Sequence, residues 1–168
     1  MAYSLLTVRR TSTKRFTKRG VCSGAITGSA GQTRNAKRKE ELREKRFNIR
    51  IYGFTVYYNK VLVTDEIIDG TKMTKFVGGG LEWGEGPLDA LRREFMEECE
   101  STVTGAIHFF TTDFFQQSAY RPTDQLISIY FQVDLENPEQ IPVVKRPFQE
   151  LNDNNQCFRW VDLRDLNP

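Results

Sequence analysis

Residues 78–101 read GGGLEWGEGPLDALRREFMEECES, and the organisation of the chain follows from them. Gly86-Pro87 starts a helix, with proline at the first helical position, where its missing N–H is no loss. From Leu88 to Cys99 the apolar residues recur with helical period. On a helical wheel Leu88, Leu91, Phe95 and Cys99 fall within an arc of about 80°, and Glu94, Glu97 and Glu98 within a neighbouring arc of about 100°. The helix therefore carries an apolar stripe for a core and, beside it, a stripe of three carboxylates. Like charges three and four residues apart disfavour an isolated helix by roughly 0.2–0.5 kcal/mol per pair. In the second half of the helix they also oppose its dipole. Two readings fit this stripe: a solvated acidic face, or the site of a divalent cation, because Mg²⁺ takes several hard oxygen ligands and removes the repulsion. The three glycines ahead of the helix favour the second. Gly78, Gly79 and Gly80 let backbone approach closely, and a glycine-rich loop leading into a carboxylate-bearing helix suits a metal held against a diphosphate.

Strand patterns flank this unit. Phe47, Ile49 and Ile51 alternate with Asn48 and Arg50, a period-2 pattern. Gly53 is expected to introduce a bulge or a switch of face, after which Phe54, Val56 and Tyr58 resume the alternation. Asn59-Lys60 reads as a hairpin turn before Val61-Leu62-Val63. Residues 64–75 are polar and read as a loop, and a short strand near Phe76-Val77 runs into the glycines. Beyond the helix, Thr102-Val103-Thr104, Gln125 to Leu135 and Phe158 to Val161 read as strands, and a helix begins at Asp162.

The segment resembles the signature of the Nudix hydrolases, G-x5-E-x7-R-E-U-x-E-E-x-G-U, where U is a bulky aliphatic residue. Gly79, Glu85, Arg93, Glu94, Glu97 and Glu98 match six fixed positions at the required spacing, with Phe95 at the first U. Glu82 in the loop is also usual in that family. Two positions depart: Glu100 stands where the signature has glycine, and Ser101 where it has an aliphatic residue. Glycine there would cap the helix in left-handed conformation. The cap is expected to persist with Glu100 in it, because the charges of Glu97, Glu98 and Glu100 discourage further helix.

The resemblance covers residues 47–168. It implies an α/β fold, an α/β/α sandwich around a mixed β-sheet, whose usual C-terminal helix is short or missing here. It implies a hydrolase that cleaves the pyrophosphate bond of a nucleoside diphosphate linked to another moiety, such as a nucleotide sugar, ADP-ribose or a nucleoside triphosphate. Carried onto this chain, Glu94, Glu97 and Glu98 would hold Mg²⁺ or Mn²⁺ with the carbonyl of Gly78. Arg93 would pair with Glu85 and orient the loop, although Asp89 is an equally physical partner for it. Gly79, Gly80 and Glu82 would contribute to substrate binding. The general base would be a helix glutamate or would come from the loop FQELNDNNQ, through Glu150 or Asp153. The substrate is poorly encoded: Tyr120 and Pro122 do not sit at a diagnostic spacing. Phe109, Phe110, Phe114, Phe115 and Tyr120 would either stack a base or fill the core, the core being the commoner use. His108 reads as structural. The alternative function is a non-catalytic nucleotide-sugar sensor, which has less need of three clustered glutamates.

Composition sets the remaining bounds. The 168 residues are 39% hydrophobic and 27% charged, which are values of a globular chain with room for one ordinary domain. Net charge is +2, but residues 1–50 hold 14 Lys and Arg against 3 Asp and Glu, while residues 51–168 hold 10 against 19. No acidic residue precedes Glu40. The basic head, residues 1–46, has too little apolar material for a core, so disorder is expected over about residues 1–35, followed by a short solvated helix from Asn35 to Arg46. It reads as an inert stretch, a targeting segment or a phosphate-binding tail, and is the one segment through which nucleic acid could bind. No apolar run approaches the length of a membrane-spanning helix. The odd, widely spaced Cys22, Cys99 and Cys157 suit a reducing compartment, hence the cytoplasm. A small-molecule substrate is the implied partner, with room for a homodimer. One histidine excludes any site of several histidine ligands.

Overall fold

The computed structural model describes residues 45–166. The expectations for the basic head lie outside them, apart from Lys45 and Arg46. Arg46 is not helical: it opens β1 (Arg46–Phe54), whose pairing with β8 (Asp124–Leu135) begins at Arg46 opposite Asp124. β1 and β8 run parallel and form the centre of a mixed five-stranded sheet. β5 (Val77–Gly80) lies antiparallel on the free edge of β1, and β6 (Val103–Thr111) antiparallel on β8, beside the short β7 (Gln116–Gln117). A second, antiparallel sheet is built on β3 (Lys60–Ile68), which pairs with β2 (Val56–Tyr57), β4 (Thr71–Lys75) and β9 (Gln156–Asp162).

Among the described residues there is one α-helix, α1 (Pro87–Cys99). It starts where expected: Gly86 is the cap residue, Pro87 is the first helical residue, and the Asp89 carboxylate accepts from the Gly86 N–H at 3.1 Å. Ala90, Leu91, Phe95 and Cys99 are buried, whereas Leu88, placed in the apolar stripe by its angle, lies in the first turn and is 40% exposed. The helix ends at Glu100, at φ 51°, with Glu100 N–H on the Met96 carbonyl and Ser101 N–H on the Phe95 carbonyl. That is a left-handed cap with the C′-to-C3 bond of the αL motif, as expected, with glutamate in the glycine's place. After β9 the chain makes one 3₁₀ turn, Leu163–Asp165, capped by the Asp162 carboxylate, and no α-helix follows β9 among the described residues.

The core joins both sheets to the helix. Ile51 and Phe131 from the first sheet, Leu62 and Phe158 from the second, and Leu91 and Phe95 from α1 are all buried together. Burial of each such side chain contributes about 1.5–3 kcal/mol. Gly53 is neither a bulge nor a switch of face, for the register between β1 and β8 is unbroken through it. It makes room for the helix: a Cβ there would stand 2.5 Å from Phe95 Cε2 and 2.9 Å from Leu91 Cδ1.

The second sheet differs from expectation in two places. The hairpin turn is Tyr58-Asn59, at φ 44° and 59°, one residue earlier than read. Residues 64–75 are not a loop but the end of β3, a tight turn at Asp69-Gly70 and β4. The two carboxylates of β3 are buried in pairs. Asp65 accepts from Arg159 Nε at 2.6 Å and from the Thr74 hydroxyl at 2.5 Å, and Glu66 meets Lys75 at 2.9 Å.

Candidate active site

Strand alternation sorts the side chains of the first sheet into two sets. From β1, Ile51 faces the core while Arg50 and Tyr52 face away from it. From β8, Phe131 and Val133 face the core while Ser128 and Tyr130 face away. Those outward residues form one wall of a cleft of about 410 Å³, closed on the other side by Glu66, Met73, Thr74 and Lys75 of β3 and β4. Tyr52 and Tyr130 stack at 5.4 Å between centroids, with Phe76 edge-on to Tyr130. Arg50 donates to the Tyr52 hydroxyl at 3.3 Å and brings a guanidinium to the cleft. Gln116 Oε1 and the Tyr130 hydroxyl, both in residues lining it, are buried without a hydrogen-bond partner among the described residues.

The glycine loop and the acidic stripe of α1 meet beside this cleft. β5 ends in Gly78, Gly79 and Gly80, and the helix lays Glu94 and Glu98 over them. Gly78 lies at φ 137°, and a Cβ on it would overlap the Ile51 carbonyl of β1. A Cβ on Gly79 would fall within the Glu94 carboxyl group. The Gly78 N–H donates to Glu98 Oε2 at 3.4 Å, and Lys75 Nζ donates to the Gly78 carbonyl at 2.7 Å. Glu98 is pushed up to about 7 by burial. Lys75, 3.4 Å away, opposes the shift, and the nearby charges of Glu66 and Glu94 add to it.

Arg93 ties the loop to the helix. Its Nε and Nη2 donate to the two oxygens of Glu85 at 3.1 and 2.9 Å, and Nη2 also reaches the Gly80 carbonyl at 3.1 Å. Nη1 bridges Glu94 at 3.0 Å and Glu97 at 3.1 Å. The two-pronged bond to Arg93 holds the Glu85 carboxyl below its ordinary range, with the Glu82 N–H, 2.7 Å from Glu85, assisting. Asp89 pairs with Arg92 instead, at 3.8 Å.

The structure thus brings Gly78, Gly79, Gly80, Glu85, Arg93, Glu94 and Glu98 together, with Glu97 on the rim and 57% exposed. Glu82 enters through its backbone N–H. Among the described residues no three carboxylates converge on one point. Glu94 and Glu97 turn to Arg93, and Glu98 to Lys75. The donor chemistry nonetheless fits a hard divalent cation. The Gly78 carbonyl and Glu98 Oε1, both hard oxygens, already share one cation, the Lys75 ammonium.

Of the loop candidates for a base, Glu150 lines a separate cavity of about 520 Å³ that also touches Glu98, while Asp153 is exposed and does not line it. Of the aromatic candidates only Tyr120 lines the substrate-sized cleft. Phe109 and Phe115 are exposed rather than core, and Phe110 is half-buried against Tyr130. His108 is exposed and bonds Thr111 at 2.9 Å. Sequence reasoning missed Lys75, Glu66, Tyr52 and Tyr130. The signal available was the outward set of the alternation, residues 48, 50 and 52, and the Asp-Gly pair at 69–70, which marks a hairpin.

A family model described as the NUDIX domain matches residues 47–168. Similar folds occur in a MutT from work on Aliivibrio salmonicida and Vibrio cholerae, at 22% identity over 71% of this chain and 82% of that one, with a TM-score of 0.50. A MutT NUDIX hydrolase from Burkholderia pseudomallei is similar at 17% identity over 73% and 88%, with a TM-score of 0.56. The E. coli ORF135 protein is similar at 15% over 70% and 75%, with a TM-score of 0.51. These identities speak for the fold alone. No curated protein matches the chain.

Proposed function

The chain belongs to the Nudix family and is a Nudix pyrophosphohydrolase, and from that premise we propose that it uses Mg²⁺ or Mn²⁺ to cleave the diphosphate bond of a nucleoside diphosphate linked to another moiety. The observation that carries this reading is the meeting of Gly78 with Glu98 across β5 and α1, beside a cleft lined by stacked aromatics. The Gly78 carbonyl, Glu94, Glu97 and Glu98 would hold the cation. The chemistry it supplies when bound is neutralisation of phosphoryl charge and a lowered pKa for the attacking water.

The chain's own residues do the rest. Arg93 locks Glu85, the Gly80 carbonyl and the two nearer helix carboxylates into one unit, so the loop cannot drift from the helix. Arg50 and Lys75 bring two cations to the cleft wall, where a diphosphate needs them. Tyr52 and Tyr130 offer a π-face to a base. The nucleoside therefore sits on Tyr52 and Tyr130, with its diphosphate directed at Lys75 and the glycine loop. Free, buried Cys99 and Cys157 accord with a reducing compartment, and we place the protein in the cytoplasm. Among the described residues no helix is long and apolar enough to cross a membrane.

A panel of nucleoside triphosphates, nucleotide sugars and ADP-ribose, assayed with Mg²⁺ for release of monophosphate or pyrophosphate, tests the reading. Turnover of one class, abolished by chelation, is expected. Tight binding of a nucleotide sugar without turnover would replace it by the sensor reading.

A further inference from the structure

Lys75 stands where the proposed ligands need a cation. Its Nζ touches oxygens of three residues from three elements: the Gly78 carbonyl at 2.7 Å, Glu66 Oε1 at 2.9 Å and Glu98 Oε1 at 3.4 Å. The side chain is only 9% exposed. Its ammonium is therefore held by oxygens on three sides, two of them carboxylates. Two of those oxygens, on Gly78 and Glu98, belong to groups assigned above to the divalent ion. An ammonium and a divalent ion compete for the same hard oxygens and repel each other at close range. Lys75 also lines the cleft, and lysine carries its charge on a four-carbon stem with several rotatable bonds.

We infer that Lys75 is the resident cation of the metal-free site. It holds the Gly78 carbonyl and Glu98 together until a divalent ion takes those oxygens, and the displaced ammonium then turns into the adjoining cleft to meet the diphosphate. The inference rests on the metal reading above and makes Lys75 a positioning residue. Glu66 keeps hold of the lysine on the cleft side throughout, because it is the one of the three oxygens not assigned to the metal. Metal loading and lysine release are then a single exchange. The intrinsic affinity of the carboxylates for the ion is partly masked by the lysine, as any ligand's affinity is masked when the competent state is a minority.

The test measures Mn²⁺ binding to the substrate-free full chain by electron paramagnetic resonance, for the wild type, Lys75→Gln, Lys75→Met and Lys75→Arg. Lys75→Gln keeps donors for Gly78 and Glu66, so it guards against misfolding of Lys75→Met. Loss of the competing charge should tighten Mn²⁺ binding about tenfold in Lys75→Gln and Lys75→Met, and Mn²⁺ should raise their melting temperatures more than that of the wild type. Lys75→Arg should restore the wild-type affinity. A lysine that merely braced the fold would give weaker binding on removal. Equal or weaker Mn²⁺ binding in folded Lys75→Gln, with the wild type binding normally, overturns the exchange and leaves the metal reading standing. Absence of Mn²⁺ binding in both the wild type and Lys75→Gln overturns the two together.

Discussion

Gly79 lies so close beneath Glu94 that a single added methyl group would occupy the space of the carboxyl. The glycine is there for the glutamate: a side chain at position 79 would push the Glu94 carboxyl out of its place. Gly79→Ala should therefore leave the secondary structure intact, displace Glu94 by an ångström or more, and lower the turnover rate about 10²-fold. Circular dichroism and steady-state kinetics on the same preparation check this. A fully active Gly79→Ala variant would show that Glu94 has no part in the chemistry.

Glu98→Gln should fold normally, since the amide still accepts from the Gly78 N–H and the crowded negative charge around it falls. Its rate on any accepted substrate should drop at least about 10²-fold, the loss expected when a metal ligand gives up its charge. Glu97→Gln should behave in the same direction. An active Glu98→Gln variant with unchanged Mg²⁺ dependence would end the ligand assignment.

At the far end of the same helix, Glu100 sits at φ 51°. That conformation costs a residue with a Cβ about 1–2 kcal/mol, part of which glycine returns through greater freedom in the unfolded chain. Glu100→Gly should raise stability by about 0.5–1 kcal/mol. A urea midpoint that rises at constant m-value is the expected record, and a falling midpoint the refutation.

Gly53→Ala should do the opposite. Its Cβ would press on Phe95 and Leu91, both fully buried, so the helix must shift off the sheet. A loss of about 1–3 kcal/mol is expected for such overpacking, read from the same denaturation curves.

Cys99 offers a test of burial by pH. Burial, with Glu98 adding to it, pushes its thiol up to about 12 from an ordinary 9. A raised pKa means that the folded state keeps the proton, so the reactive thiolate is scarce below pH 9 and stability declines as pH rises from there toward 12. Iodoacetamide at pH 8 should leave Cys99 unmodified in the native protein and alkylate it in urea, as intact mass and peptide mapping would show.

Legibility in the sequence followed the range of the forces involved. The helix start at Pro87, its left-handed end at Glu100 and the grouping of Arg93 with Glu85 are fixed by neighbours in the chain or by a signature at set spacing. Residues 64–75 were unreadable as strand because Asp65 and Glu66 look solvated until Arg159 and Lys75 are placed opposite them. Breaking such a buried pair costs about 3–5 kcal/mol, yet nothing local to Asp65 announces a partner on β9. Gly53 reads as a bulge or a switch of face because the helix it accommodates packs against it only in the tertiary structure. The cleft was missed for a related reason: Tyr52 and Tyr130 belong to strands far apart in the chain and meet only through the β1–β8 register.

That register has a consequence for how the molecule comes into being. Arg46 pairs with Asp124 and Phe54 with Gln132, so nearly everything between them must be threaded out and back before the central pair closes. Parallel neighbours cannot be joined by a tight turn, and the entropy of closing so long a loop is spent before any contact repays it. Refolding should accordingly be slow, in the millisecond-to-second range of non-local topologies. On the ribosome, the glycine loop and its helix emerge well before β8. They can pack on β1, which is already present, but the edge of β1 that pairs with β8 stays open for a strand that arrives late, which makes the nascent chain most prone to aggregation just before β8 is synthesised.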